Sequence, residues 1–106
     1  MIHKLTIGHF DIEALKAHRV VVLRPIDMTV VSRLVREVGE ITESGRLTLG
    51  GHAVEVYIGY IVCPWLMPSR NKVAEEFAKR LCQEVGCVMY DDSRRETVTP
   101  EQFAEW

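Results

Sequence analysis

Two stretches of this chain are apolar almost without interruption, and the rest alternates at strand or helix spacing. Val20, Val21, Val22 and Leu23 make the first apolar run. Continuous β-branched residues suit a strand covered on both faces. Pro25 has no amide for a ladder, so this strand is expected to stop near Arg24. The second run lies between Ala53 and Cys63. Val54, Val56, Ile58, Tyr60 and Val62 share one predicted face, and Glu55, Tyr57, Gly59, Ile61 and Cys63 the other. Both faces are mostly apolar, which predicts a central strand, with Gly59 marking a bulge or a close backbone approach. On this reading Tyr57 and Tyr60 point to opposite faces.

Helical spacing follows each run. Val30, Val31, Leu34, Val35, Val38 and Ile41 recur every three or four residues after Asp27, a good N-cap. Val73, Ala74, Phe77, Ala78, Leu81 and Val85 make a second stripe, with Ser69 as the predicted cap and Gly86 as the left-handed stop. Glu75–Lys79 and Glu76–Arg80 are i,i+4 pairs on its outer side. Arg46 to Leu49 reads as a short strand turned by Gly50-Gly51, and Cys87 to Tyr90 as another. Residues 1 to 10 alternate weakly, and Asp11 can cap a brief helical turn. This opening reads as an addition to a core. After an Asp91-Asp92-Ser93 turn, Arg94 to Val98 reads as an edge strand. Thr99, Pro100 and Gln102 form a capping box for a last short helix anchored by Phe103 and Trp106.

With the ends set aside, the order is strand, helix, strand, strand, helix, strand. This predicts an α+β fold of the ferredoxin-like, split βαββαβ kind over a single domain, 1–106. Val20–Leu23 and the 53–63 run would be its central strands, and right-handed crossovers would put both helices on one sheet face. The opposite face would then be apolar and open. The chain ends, a second subunit or a ligand must cover it.

Composition changes this picture little. At 106 residues with 47% hydrophobic and 26% charged, the chain can bury a core without staples. A net charge of -2 offers no electrostatic argument for nucleic acid or a membrane surface. Arg33 with Arg36, and Arg94 with Arg95, read as solvated surface. No apolar run approaches the roughly 20 residues of a membrane helix. Three cysteines, Cys63, Cys82 and Cys87, with no secretory signal, predict reduced thiols and a cytoplasmic protein.

Candidate chemistry is sparse. His3, His9, His18 and His52 show no metal-ligand spacing, and Cys82 and Cys87 match no common zinc motif, so no metal or cofactor is expected. Gly50-Gly51 precedes a strand, which removes a phosphate loop. Cys63 lies at the far end of its strand from His52 and reads as a buried, inert thiol. No catalytic set is recognisable.

The main cluster is Glu55, Tyr57, Tyr60 and Trp65, with His52 near. The plain reading puts Glu55 at the sheet rim and the tyrosine hydroxyls at the edge. The first functional expectation is a non-enzymatic protein-binding module, homodimeric through the open face, of an immunity, inhibitor or mobile-element type. Trp65, Tyr57, Asp91 and Asp92 are its contact candidates. The alternative is a small-ligand-binding protein or small enzyme with Glu55, Tyr57 and His52 around a pocket on that face. A flat or filled face favours the first, and a concavity of several hundred cubic ångströms the second.

Overall fold

The computed structural model describes residues 3–66 and 71–105, and the side chains of 4–64 and 71–102. It is an α+β domain with antiparallel sheets. The larger sheet has the order β6–β7–β1–β8–β9, formed by Glu55–Tyr57, Tyr60–Leu66, His3–Phe10, Val88–Asp91 and Glu96–Val98. Strand β2, Val22–Arg24, pairs only with the end of β1. A smaller sheet joins β3 (Glu40–Ile41), β4 (Leu47–Leu49) and β5 (His52–Ala53) in that order. The helices are α1, Ile12–Lys16, α2, Met28–Val38, and α3, Lys72–Val85, and a 3-10 helix spans Pro100–Glu105.

The centre of the sheet is the N-terminal strand, which corrects the ranking read from the sequence. β1 lies between β7 and β8. Leu5 and Ile7 are buried on the same face as their cross-strand neighbours Cys63, Ile61 and Met89. Thr6 sits opposite Val62 and Tyr90 on the other face. The weak alternation of this segment is that of a strand with an apolar face and a partly polar one.

Val20–Leu23 is not central. Val20 is 49% exposed and Leu23 68% exposed, and the three-residue β2 meets β1 only through His9–Arg24 and Phe10–Val22. β-branched residues favour an extended backbone whether or not anything covers them. Continuity therefore identified a strand but not its burial.

The run from Ala53 to Cys63 is not one strand either. It breaks at Ile58-Gly59, where β6 turns into β7 with Tyr57 opposite Tyr60. Gly59 has φ +86°, and Ile58 is 97% exposed at the tip. The close backbone approach is present: Gly59 accepts the Ile26 amide at 2.9 Å, and a Cβ there would lie 3.3 Å from Val22. The turn places Tyr57 and Tyr60 on the same face, not on opposite ones. At Pro64, which cannot donate, the β1–β7 register shifts between Leu5–Cys63 and His3–Leu66.

Local signals were met more closely. Asp11 and Asp27 cap α1 and α2, their carboxylates accepting the Ala14 and Thr29 amides. Gly86 ends α3 in the left-handed region. Thr99 donates its amide to the Gln102 side chain at 2.6 Å, half of the expected capping box. Ser69 lies outside the described residues. Asn71 caps α3 instead, accepting the Ala74 amide at 3.0 Å while its Nδ2 donates to the Leu49 carbonyl at 3.0 Å. Asn71 thus ties α3 to the small sheet.

Val31, Leu34 and Val35 of α2 and Ala74, Phe77, Ala78 and Leu81 of α3 bury their stripes with Leu5, Ile7, Ile61, Cys63 and Met89. Outside this core Arg33 pairs with Glu84 and Arg80 with Glu37, joining the two helices. On the opposite face α1 lies over one end only, with Leu15 packed against Phe10 and Tyr90, and Ile12, Val22 and Tyr60 beside them. The rest of that face is a hollow.

Candidate functional site

The hollow measures about 330 Å3. Thr6, Tyr60, Val62 and Tyr90 form its floor on the central strands. Leu15, His18 and Val20 overhang one side, and Tyr57, Lys4, Asp92 and Arg95 complete the rim. Its position follows from the strand pattern: even-numbered residues of β1 face away from the helices.

Aromatic packing shapes one wall. Tyr57 stacks on Tyr60 with centroids 4.9 Å apart, and Phe10 meets Tyr60 edge-on at 5.4 Å. Such pairs contribute about 0.5–1.5 kcal/mol beyond area burial. Gly8 permits this closeness, since a Cβ there would lie 2.9 Å from Phe10 Cζ and 3.0 Å from Tyr60 Cβ.

Polar groups are distributed unevenly. The Thr6 hydroxyl donates to Asp92 Oδ2 at 2.8 Å. Tyr90 is 1% exposed, yet its hydroxyl has no hydrogen-bond partner among the described residues. A buried hydroxyl left so costs about 1–3 kcal/mol. Buried polar groups are almost always paired, so this hydroxyl, itself closed from solvent, is an exception at the floor of the hollow.

The overhang is held by an unusual backbone. His18 and Arg95, with φ of 62° and 57°, are the non-glycine residues with positive φ among the described ones, and both line the hollow. Each such conformation costs on the order of 1 kcal/mol or more. The Arg95 amide donates to the Asp91 carbonyl at 2.7 Å, and its guanidinium donates to the Lys16 carbonyl. That contact lashes the end of α1 to the β8–β9 turn. Lys4 and Arg95 are cations against the one carboxylate of Asp92, so the rim favours negative charge.

The residues expected from the sequence are partly brought together. Glu55 and Tyr57 share a face of β6, and the Tyr57 hydroxyl donates to Glu55 Oε1 at 3.0 Å. That hydrogen bond, and then the carboxylate's charge, push the Tyr57 hydroxyl above its ordinary range. Both side chains are exposed, however, and Glu55 lines a separate hollow of about 350 Å3 with His52, Arg46 and Pro64. Tyr57 therefore belongs to the main hollow, and Glu55 and His52 to its neighbour.

Asp91 is fully buried, its carboxylate accepting the Ser93 amide at 2.9 Å and the Arg94 amide at 3.3 Å. It organises the turn. Asp92 does face the main hollow. Trp65 belongs to β7, and its side chain lies outside the described residues.

Sequence reasoning passed over Lys4, Thr6, His18, Tyr90 and Arg95. The polar alternation of β1 was the available signal for the first two. Residue type does not mark the others: His18 and Arg95 are left-handed in locally hydrogen-bonded turns where no glycine stands, and the buried Tyr90 hydroxyl depends on the assembled fold.

Among the described residues, no group of three or more His, Cys, Asp and Glu side chains could hold a metal ion. No helix among them is long and apolar enough to cross a membrane. No protein-family model matches the chain, and neither a curated protein nor a solved structure matches it.

Proposed function

We propose that this protein binds a small organic anion in the hollow on the sheet face opposite its long helices. The observation that carries the reading is the buried, unpartnered Tyr90 hydroxyl on the floor. The hydroxyl is closed from solvent in the free protein, so a carboxylate or phosphate oxygen reaches it by a small shift of the side chains over it, while Lys4 and Arg95 balance the charge. Tyr57 and Tyr60 offer a ring face to a flat ligand. The frame is the split βαβ, ferredoxin-like one, with His3–Phe10 as its first strand. The order β6–β7–β1–β8 with α2 after β1 and α3 after β7 supports that assignment. Free thiols at Cys63, Cys82 and Cys87 support a reducing, cytoplasmic setting.

Titration of the full chain with benzoate, followed by amide chemical shifts, tests this reading. Saturable perturbation centred on Thr6, Tyr90 and Arg95 is expected. Tyr90→Phe should weaken binding about tenfold or more, since a hydrogen bond to a charged group contributes about 1.5–3 kcal/mol. Equal affinity in Tyr90→Phe, or shifts scattered outside the hollow, sinks the reading.

A second reading rests on a different surface. Val56 (52% exposed), Ile58 (97%) and Leu23 (68%) stand out at the free edge of the sheet, where the hairpin tip meets β2. An apolar edge strand is a template for pairing, and two copies of β6 would extend the sheet across a two-fold axis. This keeps the homodimeric, protein-binding expectation but moves it from the open face to the edge. Light scattering should then report a dimer that Val56→Arg dissociates, and a monomeric parent protein at high concentration removes this reading.

A further inference from the structure

The cysteines occupy unlike environments. Cys63 is buried on β7 against the helices, and burial alone pushes its thiol up to about 12. It is chemically silent at neutral pH. Cys82 and Cys87 sit together at the end of α3. The helix closes at Val85, Gly86 turns left-handed with φ 63°, and its amide donates to the Cys82 carbonyl at 3.0 Å. This termination folds the following residue back over the last turn. Cys87 is that residue, and the Cys82 thiol reaches its carbonyl at 3.9 Å.

The two thiols also perturb one another's titration. Cys82 is half-buried and Cys87 buried, and a hollow of about 450 Å3 opens beside them, walled by Met89, Val98 and Pro100. Lys79 of α3 and Glu101 of the 3-10 helix are the charged groups facing it.

We propose that Cys82 and Cys87 form a redox dithiol, a modification site that a hydroperoxide closes into a reversible disulfide. The Cys82 sulfur, as thiolate, attacks the outer peroxide oxygen. The O–O bond breaks, the leaving alkoxide or hydroxide takes up a proton, and Cys82 becomes a sulfenic acid. The Cys87 sulfur then attacks the Cys82 sulfur, the S–O bond breaks, and water departs with the Cys87 proton. The pair loses two electrons and two protons, and the hydroperoxide is reduced to an alcohol, or to water, plus one water.

The roles follow from the setting. Cys82 opens to the hollow, and the hydrogen bond from Cys87 holds its thiol below the ordinary range, against opposing contributions from burial and from Glu101. The same hydrogen bond, and then burial, push the Cys87 thiol up. Cys87 is thus the protected partner that resolves the sulfenic acid.

The experiment treats the reduced, folded full chain with hydrogen peroxide or with cumene hydroperoxide, then maps its peptides by mass. A Cys82–Cys87 cross-link, lighter by two hydrogens and reversed by dithiothreitol, is expected, with Cys63 still a free thiol. Its formation with either hydroperoxide supports the proposal; its absence with both, while circular dichroism reports an intact fold, overturns it. Cys87→Ser should leave a sulfenic acid on Cys82 that dimedone traps, reacting about tenfold or more faster than Cys63. Equal oxidation of all the cysteines, or a Cys87 that oxidises as fast in Cys82→Ser, also overturns it. The peptide map of the parent protein decides the matter even where a variant fails to fold.

Discussion

The two faces of the large sheet are built on different principles. Against the long helices, Leu5, Ile7, Ile61, Cys63 and Met89 meet Val31, Leu34, Phe77 and Leu81, and apolar area does all the work. On the other face the same strands present Thr6, Tyr60 and Tyr90 to a hollow rimmed by charge, with a hydroxyl unpaired and two backbones strained. One side has its interactions completed within the fold, and the other holds interactions in reserve. On the proposed reading, stability and anion binding are divided by a sheet one backbone thick.

The largest break in this contrast should come from the helix face. Phe77→Ala empties a fully buried site and should cost about 3–5 kcal/mol, read as a lower urea midpoint. Asn71→Ala removes the α3 cap and the side-chain donor to the Leu49 carbonyl, with an expected loss of about 1–2 kcal/mol by the same measurement.

A pH series sharpens the contrast further. The Cys63 thiol is raised from 9.0 to about 12 by burial. The unfolded chain therefore releases this proton first, and the fold's advantage falls as pH rises from about 9 towards about 12. Cys63→Val should flatten that part of the denaturation profile, and an unchanged slope would contradict the assignment. The smallest effect belongs to the open face. Tyr90→Phe removes an unpaired buried hydroxyl, so its melting temperature should be unchanged or slightly higher, in contrast to its predicted loss of benzoate binding. A clear drop in melting temperature would mean that the hydroxyl is satisfied in the free protein.

Legibility in the sequence followed the range of the interaction. Caps at Asp11 and Asp27, the stop at Gly86, both long helices and the Gly50-Gly51 turn were readable, because each depends on neighbours in the chain. The ranking of strands was not. Thr6 and Gly8 dilute the apolar signal of β1 because one of its faces lines a hollow, whereas Val20–Leu23 looks buried although only Val22 of it is partly covered. Ile58 hid a turn because an apolar side chain can stand at a tip when Gly59 supplies the backbone.

Of the residues singled out in the sequence, Tyr57 and Asp92 line the main hollow, and Glu55 and His52 its neighbour. His18 and Arg95 were not readable, since they take left-handed conformations at the end of α1 and in the β8–β9 turn without the glycine that ordinarily signals them.

Position 8 sets how closely Phe10 and Tyr60 approach the central strand. With hydrogen in place of a side chain, the Phe10 ring settles onto the strand itself and carries Tyr60 with it. One added methyl group would force these rings apart and narrow the chamber from beneath. If the proposed anion site is right, the room it offers depends on a missing carbon in the central strand, and alanine at this point should weaken binding of the bulkiest anions first.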